Sequence, residues 1–188
     1  PSRNSLHVMQ AKGRTSLSVS NTSKFFLRII LPSLGLLSVD QISKTLALNF
    51  LNDRTIHLLG DFLTLRLARN TGAAFSIAGS SSILLGSFAL AFLLVTIFLI
   101  SKMERDVKEK NNRYWSYVAA LVIGGLLGNV TDRLFRFPGG LRGSVVDWIA
   151  LPHWPIFNCA DISLAIAAIV ATALTWRGVQ PKLASKVR

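Results

Sequence analysis

Four long apolar runs, separated by shorter polar stretches, set the pattern of the chain. The first covers 25–44, FFLRIILPSLGLLSVDQISK, and the second 83–101, ILLGSFALAFLLVTIFLIS, which carries no charge. The third covers 114–134 and the fourth 160–176. About 20 helical residues at 1.5 Å each cross a hydrocarbon core of ~30 Å, so each run predicts a membrane span. Residues 45–82 are too polar to span. Within them Leu63, Leu65 and Leu67 alternate with Thr64, Arg66 and Ala68, the period-2 signature of a half-buried strand. NTGAAFSIAGSSS follows, with Gly72 offering a turn and Ala73 and Ala74 small enough for close backbone approach. The pattern predicts a mainly α membrane protein of four transmembrane helices, with a small β-sheet over 45–82 at the outer membrane face.

Composition supports lipid as the solvent. Of 188 residues, 51% are hydrophobic and 16% charged, with mean hydropathy +0.45, whereas soluble domains carry about 25% charge. A net charge of +12 would suggest nucleic acid in a soluble protein, but the cations are placed otherwise. Thirteen of the 21 Lys and Arg residues lie in the N-terminal stretch, the loop KMERDVKEKNNR at 102–113 and the C-terminal stretch. Seven lie between the spans or at their outer ends, and Arg28 alone sits in the interior of a span. This bias places both termini in the cytoplasm and the sheet outside, and argues against a nucleic-acid partner. Residues 1–24 read as a flexible cytoplasmic tail and 177–188 as a basic cytoplasmic tail. The first span lacks a small-residue cleavage site and is too long for a secretory signal, so it reads as uncleaved. The sequence starts at Pro1, with Met9 an alternative start.

The chemistry concentrates in 121–161, LVIGGLLGNVTDRLFRFPGGLRGSVVDWIALPHWPIFNCAD. Asp147 stands in the apolar context GSVVDW, where an unpaired carboxylate is costly. Asp161 stands at the start of the fourth span, where a helix dipole favours an anion and where Asn158 is placed as N-cap. Acidic groups at a bilayer boundary are functional more often than not. If the two carboxylates face each other they share one proton, and such a pair can hydrolyse a peptide bond without metal. Gly125, Asn129 and Asp132 fall on one helix face at i, i+4 and i+7. Gly124 and Gly128 form a small-xxx-small pair suited to close helix packing. Asp132 and Arg133 read as a brace for neighbouring loops rather than as catalysts. Asp40 and Lys44 are an i,i+4 pair that either anchors the helix end or faces a substrate or lipid headgroup. Asn70 either holds a peptide backbone or sits in a turn. His7, His57 and His153 are scattered without ligand spacing, and Cys159 reads as a small packing residue. No metal or other cofactor is expected.

These motifs together resemble the bacterial lipoprotein signal peptidases, the type II signal peptidases. The resemblance rests on DQISK at 40–44, NTGAAFS at 70–76, GGLLGNVTDR at 124–133, GSVVDW at 143–148 and FNCAD at 157–161, in order over about 25–176. It implies an aspartyl endopeptidase of the bacterial inner membrane, with its active site at the extracytoplasmic face. Its substrates would be prolipoproteins, cut just before a diacylglyceryl-modified cysteine. By resemblance, Asp147 and Asp161 match the catalytic dyad. Asp40, Lys44, Asn70, Gly125, Asn129, Asp132, Arg133, Asn158 and Ala160 match positions that shape the site or contact substrate or the antibiotic globomycin. The sheet matches the family's extracytoplasmic β-cradle, and 135–158 its loop and short helix. The link between Asp132–Arg133 and Asp147 is longer than the family's usual one, and Trp148 replaces a common Phe.

Two other classes fit parts of the pattern. A proton-coupled transporter would use Asp40, Asp132, Asp147 and Asp161 as a relay, but these acids cluster at one boundary rather than at midplane. A scaffold holding anionic lipid through its basic faces leaves Asp147 and Asp161 without a role.

Overall fold

The computed structural model describes residues 3–52, 54–72, 81–103 and 110–183, with side chains from Ser23 onward except that of Ser81. The elements are α1 (Arg3–Phe50), β1 (Thr55–Leu59), β2 (Leu63–Asn70), α2 (Ser81–Ser101), α3 (Lys110–Phe135), β3 (Val145–Ala150) and α4 (Cys159–Trp176). Four helical segments are long and apolar enough to cross a membrane: Ser23–Phe50, Ser82–Ser101, Lys110–Phe135 and Cys159–Trp176. The chain is therefore a multi-pass membrane protein with a three-stranded sheet. The first span continues to Phe50, six residues beyond the apolar run, and α1 is helical from Arg3 through the stretch read as a tail. The small residues Ala73 and Ala74, residues 104–109 of the charged loop 102–113 and the last five residues lie outside the described residues.

The central helix is α3, which packs against α1, α2 and α4. Over half of its apolar window is buried, against about a fifth or less in the other three (56% against 22%, 17% and 17%). Those three present large apolar side chains outward, such as Phe88, Leu94 and Ile169. In water such surface would be unstable, and in a bilayer it is the lipid contact. Close packing on α3 relies on missing side chains. A Cβ on Gly124 would lie 2.8 Å from Leu36, and one on Gly128 would lie 2.5 Å from the Asp40 carboxylate. Inside α1, Pro32 removes an N–H from the helix ladder. The next residue, Ser33, donates its hydroxyl to the Ile29 and Ala120 carbonyls (2.8 and 3.1 Å), tying α1 to α3 at that level.

At the end of the bundle near Phe25, a small apolar core joins Phe25, Ile29, Ile100, Met103, Ala119 and Ala120. The C-terminal segment is fastened there too. Asn112 donates to the Lys182 carbonyl and accepts from its N–H (3.0 and 2.7 Å), and Trp115 donates to the Val179 carbonyl (2.8 Å).

The sheet sits at the opposite end, antiparallel in the order β1-β2-β3. The alternating leucines form β2. The strand β3 lies within 135–158, the segment expected as a loop with a short helix; apart from its first residue, the last of α3, that segment is loop and strand throughout. The reason is local: Val145 and Val146 are β-branched and buried, and β2 offers them an open edge. The pairing Asn70↔Val145, Arg69↔Val146 and Ala68↔Asp147 brings the two halves of the chain together.

Candidate active site

The site forms where α1, α3, β3 and the start of α4 converge. Its scaffold is the cap of α4. The Asn158 side chain accepts from the Asp161 N–H (3.0 Å), while the Asp161 carboxylate accepts from the Asn158 N–H (3.1 Å), a reciprocal capping box. A capping box holds its two side chains in fixed rotamers, so the same hydrogen bonds that start the helix also aim the Asp161 carboxylate.

Asn158 joins the two acids. Its side-chain N–H₂ donates to Asp147 (2.6 Å), and its backbone N–H donates to Asp161. Asp161 also accepts from the Asn129 side chain (2.8 Å), which brings in α3. Asp147 is buried, and its carboxyl is pushed up from 3.8 to about 6. Burial is the main cause and the nearby Asp161 charge the second. Hydrogen bonds from Asn158 and Asn70 and the Lys44 charge pull the other way. Among the described residues, then, two carboxylates share one asparagine, and one of them holds its proton well above the usual range.

Behind the pair lies a buried ionic cluster. Lys44, with no exposed side-chain surface, contacts Asp40 (2.7 Å), Asp132 (2.9 Å) and Asn129 (3.0 Å). Each of these partners then orients something nearer the pair. Asp40 accepts from the Ala160 N–H (2.9 Å), fixing the first turn of α4. Asp132 accepts from the Val146 N–H (3.1 Å), fixing β3 one residue before Asp147. Asn129 accepts from Lys44 and from Asn158 (3.2 Å), so its side-chain N–H₂ is the end that faces Asp161. A buried cation with two carboxylates and an amide is satisfied in a way that a lone pair would not be.

Of the residues singled out in the sequence, Asp40, Lys44, Asn129, Asp132, Asp147, Asn158, Ala160 and Asp161 belong to this one connected network. Gly125 touches it sterically, since a Cβ there would lie 2.7 Å from the Ala160 carbonyl. Asn70 accepts from the Gly72 N–H (2.9 Å), making a turn, and its amide also reaches Asp147. Arg133 departs from its neighbour: its guanidinium turns to the Ser82 hydroxyl (3.1 Å) at the start of α2.

Two members of the network were missed in the sequence. Gln41 donates toward Asp40, Asp132 and the Gly128 carbonyl (3.2, 3.3 and 3.1 Å), and Arg136 pairs with Asp132 (2.6 Å). Gln41 lies inside DQISK and Arg136 at i+4 from Asp132, so spacing alone could have flagged Arg136.

Comparison with known proteins places this arrangement. The family model described as signal peptidase (SPase) II matches residues 33–177. The lipoprotein signal peptidase of Rhodococcus jostii is 38% identical over 146 residues, covering 77% of this chain and 70% of that protein. The lipoprotein signal peptidase of Mycobacterium leprae is 36% identical over 140 residues, covering 74% of this chain and 66% of that protein. A solved structure described as a bacterial membrane enzyme superposes with a TM-score of 0.65 at 25% identity, over 78% of this chain and 90% of that one. The matched region contains all four spans from residue 33 onward, the sheet and the two-carboxylate site, and on these grounds the chain belongs to the signal peptidase II family.

Proposed function

We propose that the chain is a membrane aspartyl endopeptidase that removes the signal peptide from prolipoproteins, cleaving before the diacylglyceryl-modified cysteine. The observation that carries this reading is the bridging of Asp147 and Asp161 by Asn158. The family membership and the names of the relatives supply the substrate class.

In the mechanism, the two carboxylates share one proton. The ionised partner takes a proton from a water molecule as its oxygen attacks the scissile carbonyl, and the protonated partner donates to the carbonyl oxygen. On collapse of the tetrahedral intermediate, a proton passes to the leaving amine and the C–N bond breaks. Which acid holds the proton at rest is a property of the pair. Asn158, Asn129 and the Lys44 cluster are positioning groups: they set the rotamers of the two acids without touching the reacting bond. The elevated Asp147 value supports this reading, because a shared proton must be available close to neutral pH.

Substrate placement follows from the surroundings. An apolar groove of about 210 Å³, lined by Leu46, Phe50, Ile56, Leu65 and Trp148 among others, opens next to the acid-bearing strand. A second apolar groove of about 420 Å³ runs between α2, α3 and α4, along Phe88, Val122 and Leu164. Acyl chains and the apolar signal segment remain in the bilayer against such surfaces, and the membrane performs much of the positioning that a soluble protease does with a cleft. Asn70, whose amide reaches Asp147, is placed to hold the extended backbone around the cleavage site. The positive-inside bias puts both termini in the cytoplasm and this site at the extracytoplasmic face of the inner membrane. By family resemblance, globomycin would compete for it.

The test is cleavage of a diacylglyceryl-modified prolipoprotein peptide by the purified protein in detergent, beside Asp147→Asn and Asp161→Asn. Both variants should unfold cooperatively, no more than a few degrees below the parent, and lose cleavage by about 10³-fold or more. Normal cleavage by either folded variant would remove the dyad from the mechanism.

A further inference from the structure

A second cluster of charge adjoins the site and shares Arg136 with its network. Arg69 at the end of β2, Arg136 just after α3 and Arg142 in the following loop line one open pocket of about 760 Å³. Arg136 holds Asp132 through its Nε and keeps the rest of its guanidinium for other contacts. Arg69 and Arg142 are exposed and have no carboxylate within ion-pair distance among the described residues. Three guanidiniums around one pocket, with a single carboxylate bond between them, leave an uncompensated positive site. Guanidinium groups match phosphate oxygens in geometry as well as charge.

The depth of this pocket narrows what could fill it. The loop that carries Arg142 is pressed against α2: the Ser82 hydroxyl donates to the Arg142 carbonyl (2.9 Å), and a Cβ on Gly86 would lie 2.6 Å from the Leu141 carbonyl. Gly86 is five residues into α2, about 7 Å along its axis. The loop therefore lies beside the first turns of a membrane-spanning helix, at the end where a span meets the headgroups. Two aromatic rings at this level are nearly bare, Phe135 at 81% and Phe137 at 92% exposure. Both line the pocket with the arginines. Water is a poor environment for such rings, and the outer part of the acyl layer is a good one.

We propose that the pocket framed by Arg69, Arg136 and Arg142 binds the phosphate of an anionic glycerophospholipid, with Phe135 and Phe137 seated among its acyl chains. The occupant is a membrane lipid rather than a free anion, because the arginines and the bare rings belong to one surface. Neither Asp147 nor Asp161 lines this pocket, and Arg136 connects it to Asp132. The site anchors the loop between α3 and β3, which joins Asp132 to Asp147 along the chain.

The experiment is native mass spectrometry of the full chain in non-ionic detergent, titrated with phosphatidylglycerol and phosphatidylcholine of matched acyl chains. The parent should retain phosphatidylglycerol in preference to phosphatidylcholine. Arg69→Gln with Arg142→Gln should cut that preference by about tenfold, from the loss of two cations near a charged surface. Both side chains are exposed, so the unfolding temperature should hold. Equal retention of the two lipids by the parent, or unchanged preference in the double variant, would overturn the proposal. Glycerol phosphate, which lacks acyl chains, should not displace the lipid at equal concentration, and displacement would replace the lipid site with a simple anion site. The readout is lipid retention, so it stands or falls apart from peptide cleavage.

Discussion

The two ends of the helix bundle are held together by different physics. At one end Phe25, Ile29, Ile100, Met103, Ala119 and Ala120 pack as a small apolar core. At the other, Lys44, Asp40, Asp132, Asn129, Asn158 and Asp161 form a continuous set of charged and amide contacts between 2.7 and 3.2 Å. Dispersion contacts are individually weak and tolerant of small rearrangement. A buried ionic network is directional, and removing one member leaves the others unpaired in a poor solvent for charge. The apolar end therefore keeps helices together, whereas the polar end fixes where two carboxylates point. The cost of that second task is concentrated in few residues, which makes the comparison easy to break by substitution.

The largest effect is expected at Lys44. Lys44→Met leaves Asp40 and Asp132 buried without their shared cation and should lower stability by about 3 kcal/mol, read from thermal or denaturant unfolding in detergent. Adding Asp132→Asn should recover part of that loss. If Lys44→Met were as mild as an apolar truncation, the network would not be what holds this end.

A middle-sized effect of opposite sign is expected at Asp147. Its carboxyl is raised from 3.8 to about 6, so between those values the folded chain binds more protons than the unfolded one. Stability then falls as pH rises through this window and is level above it. Asp147→Asn keeps the acceptor for Asn158 but removes the charge. The variant should be more stable than the parent by about 2 kcal/mol at pH 8 and equal to it near pH 3. A difference that is the same at both pH values would assign the effect to packing. This sign also illustrates the trade between stability and a strained functional group.

The smallest effect belongs to the apolar end. Ile29→Val should cost roughly 1 kcal/mol or less, because a single methylene is lost and lipid competes for the same contacts. Cleavage per folded molecule should be unchanged. A large loss of activity from this substitution would show that the two ends are coupled through α1 or α3.

The four spans, the strand β2 and the grouping of acids between 121 and 161 were legible in the sequence. The solvent determines the first two: a bilayer fixes the length of an apolar run, and a half-buried sheet fixes a period of two, so both can be read residue by residue. Asn158 as the cap of α4 was legible for the same reason, since a cap is satisfied within four residues. The exit of α1 at Phe50 and the strand β3 were not. Each depends on a partner brought from elsewhere in the chain, as Val146 depends on Arg69 across the sheet.

The site repeats this division. Residue types and their neighbourhood in sequence already pointed to Asp147 and Asp161 as two acids near one boundary. Only the tertiary structure decided that one asparagine joins them, that Lys44 serves Asp132 as well as Asp40, and that Arg133 turns away to Ser82. The contacts that settle these points link residues far apart, such as Lys44 with Asn129 and Asp40 with Ala160. Local sequence sets what each segment must bury, and that is a question of solvent. Which buried groups meet is set by helix packing, where the absence of a side chain at Gly125 and Gly128 lets α1, α3 and α4 come close enough for their polar groups to touch.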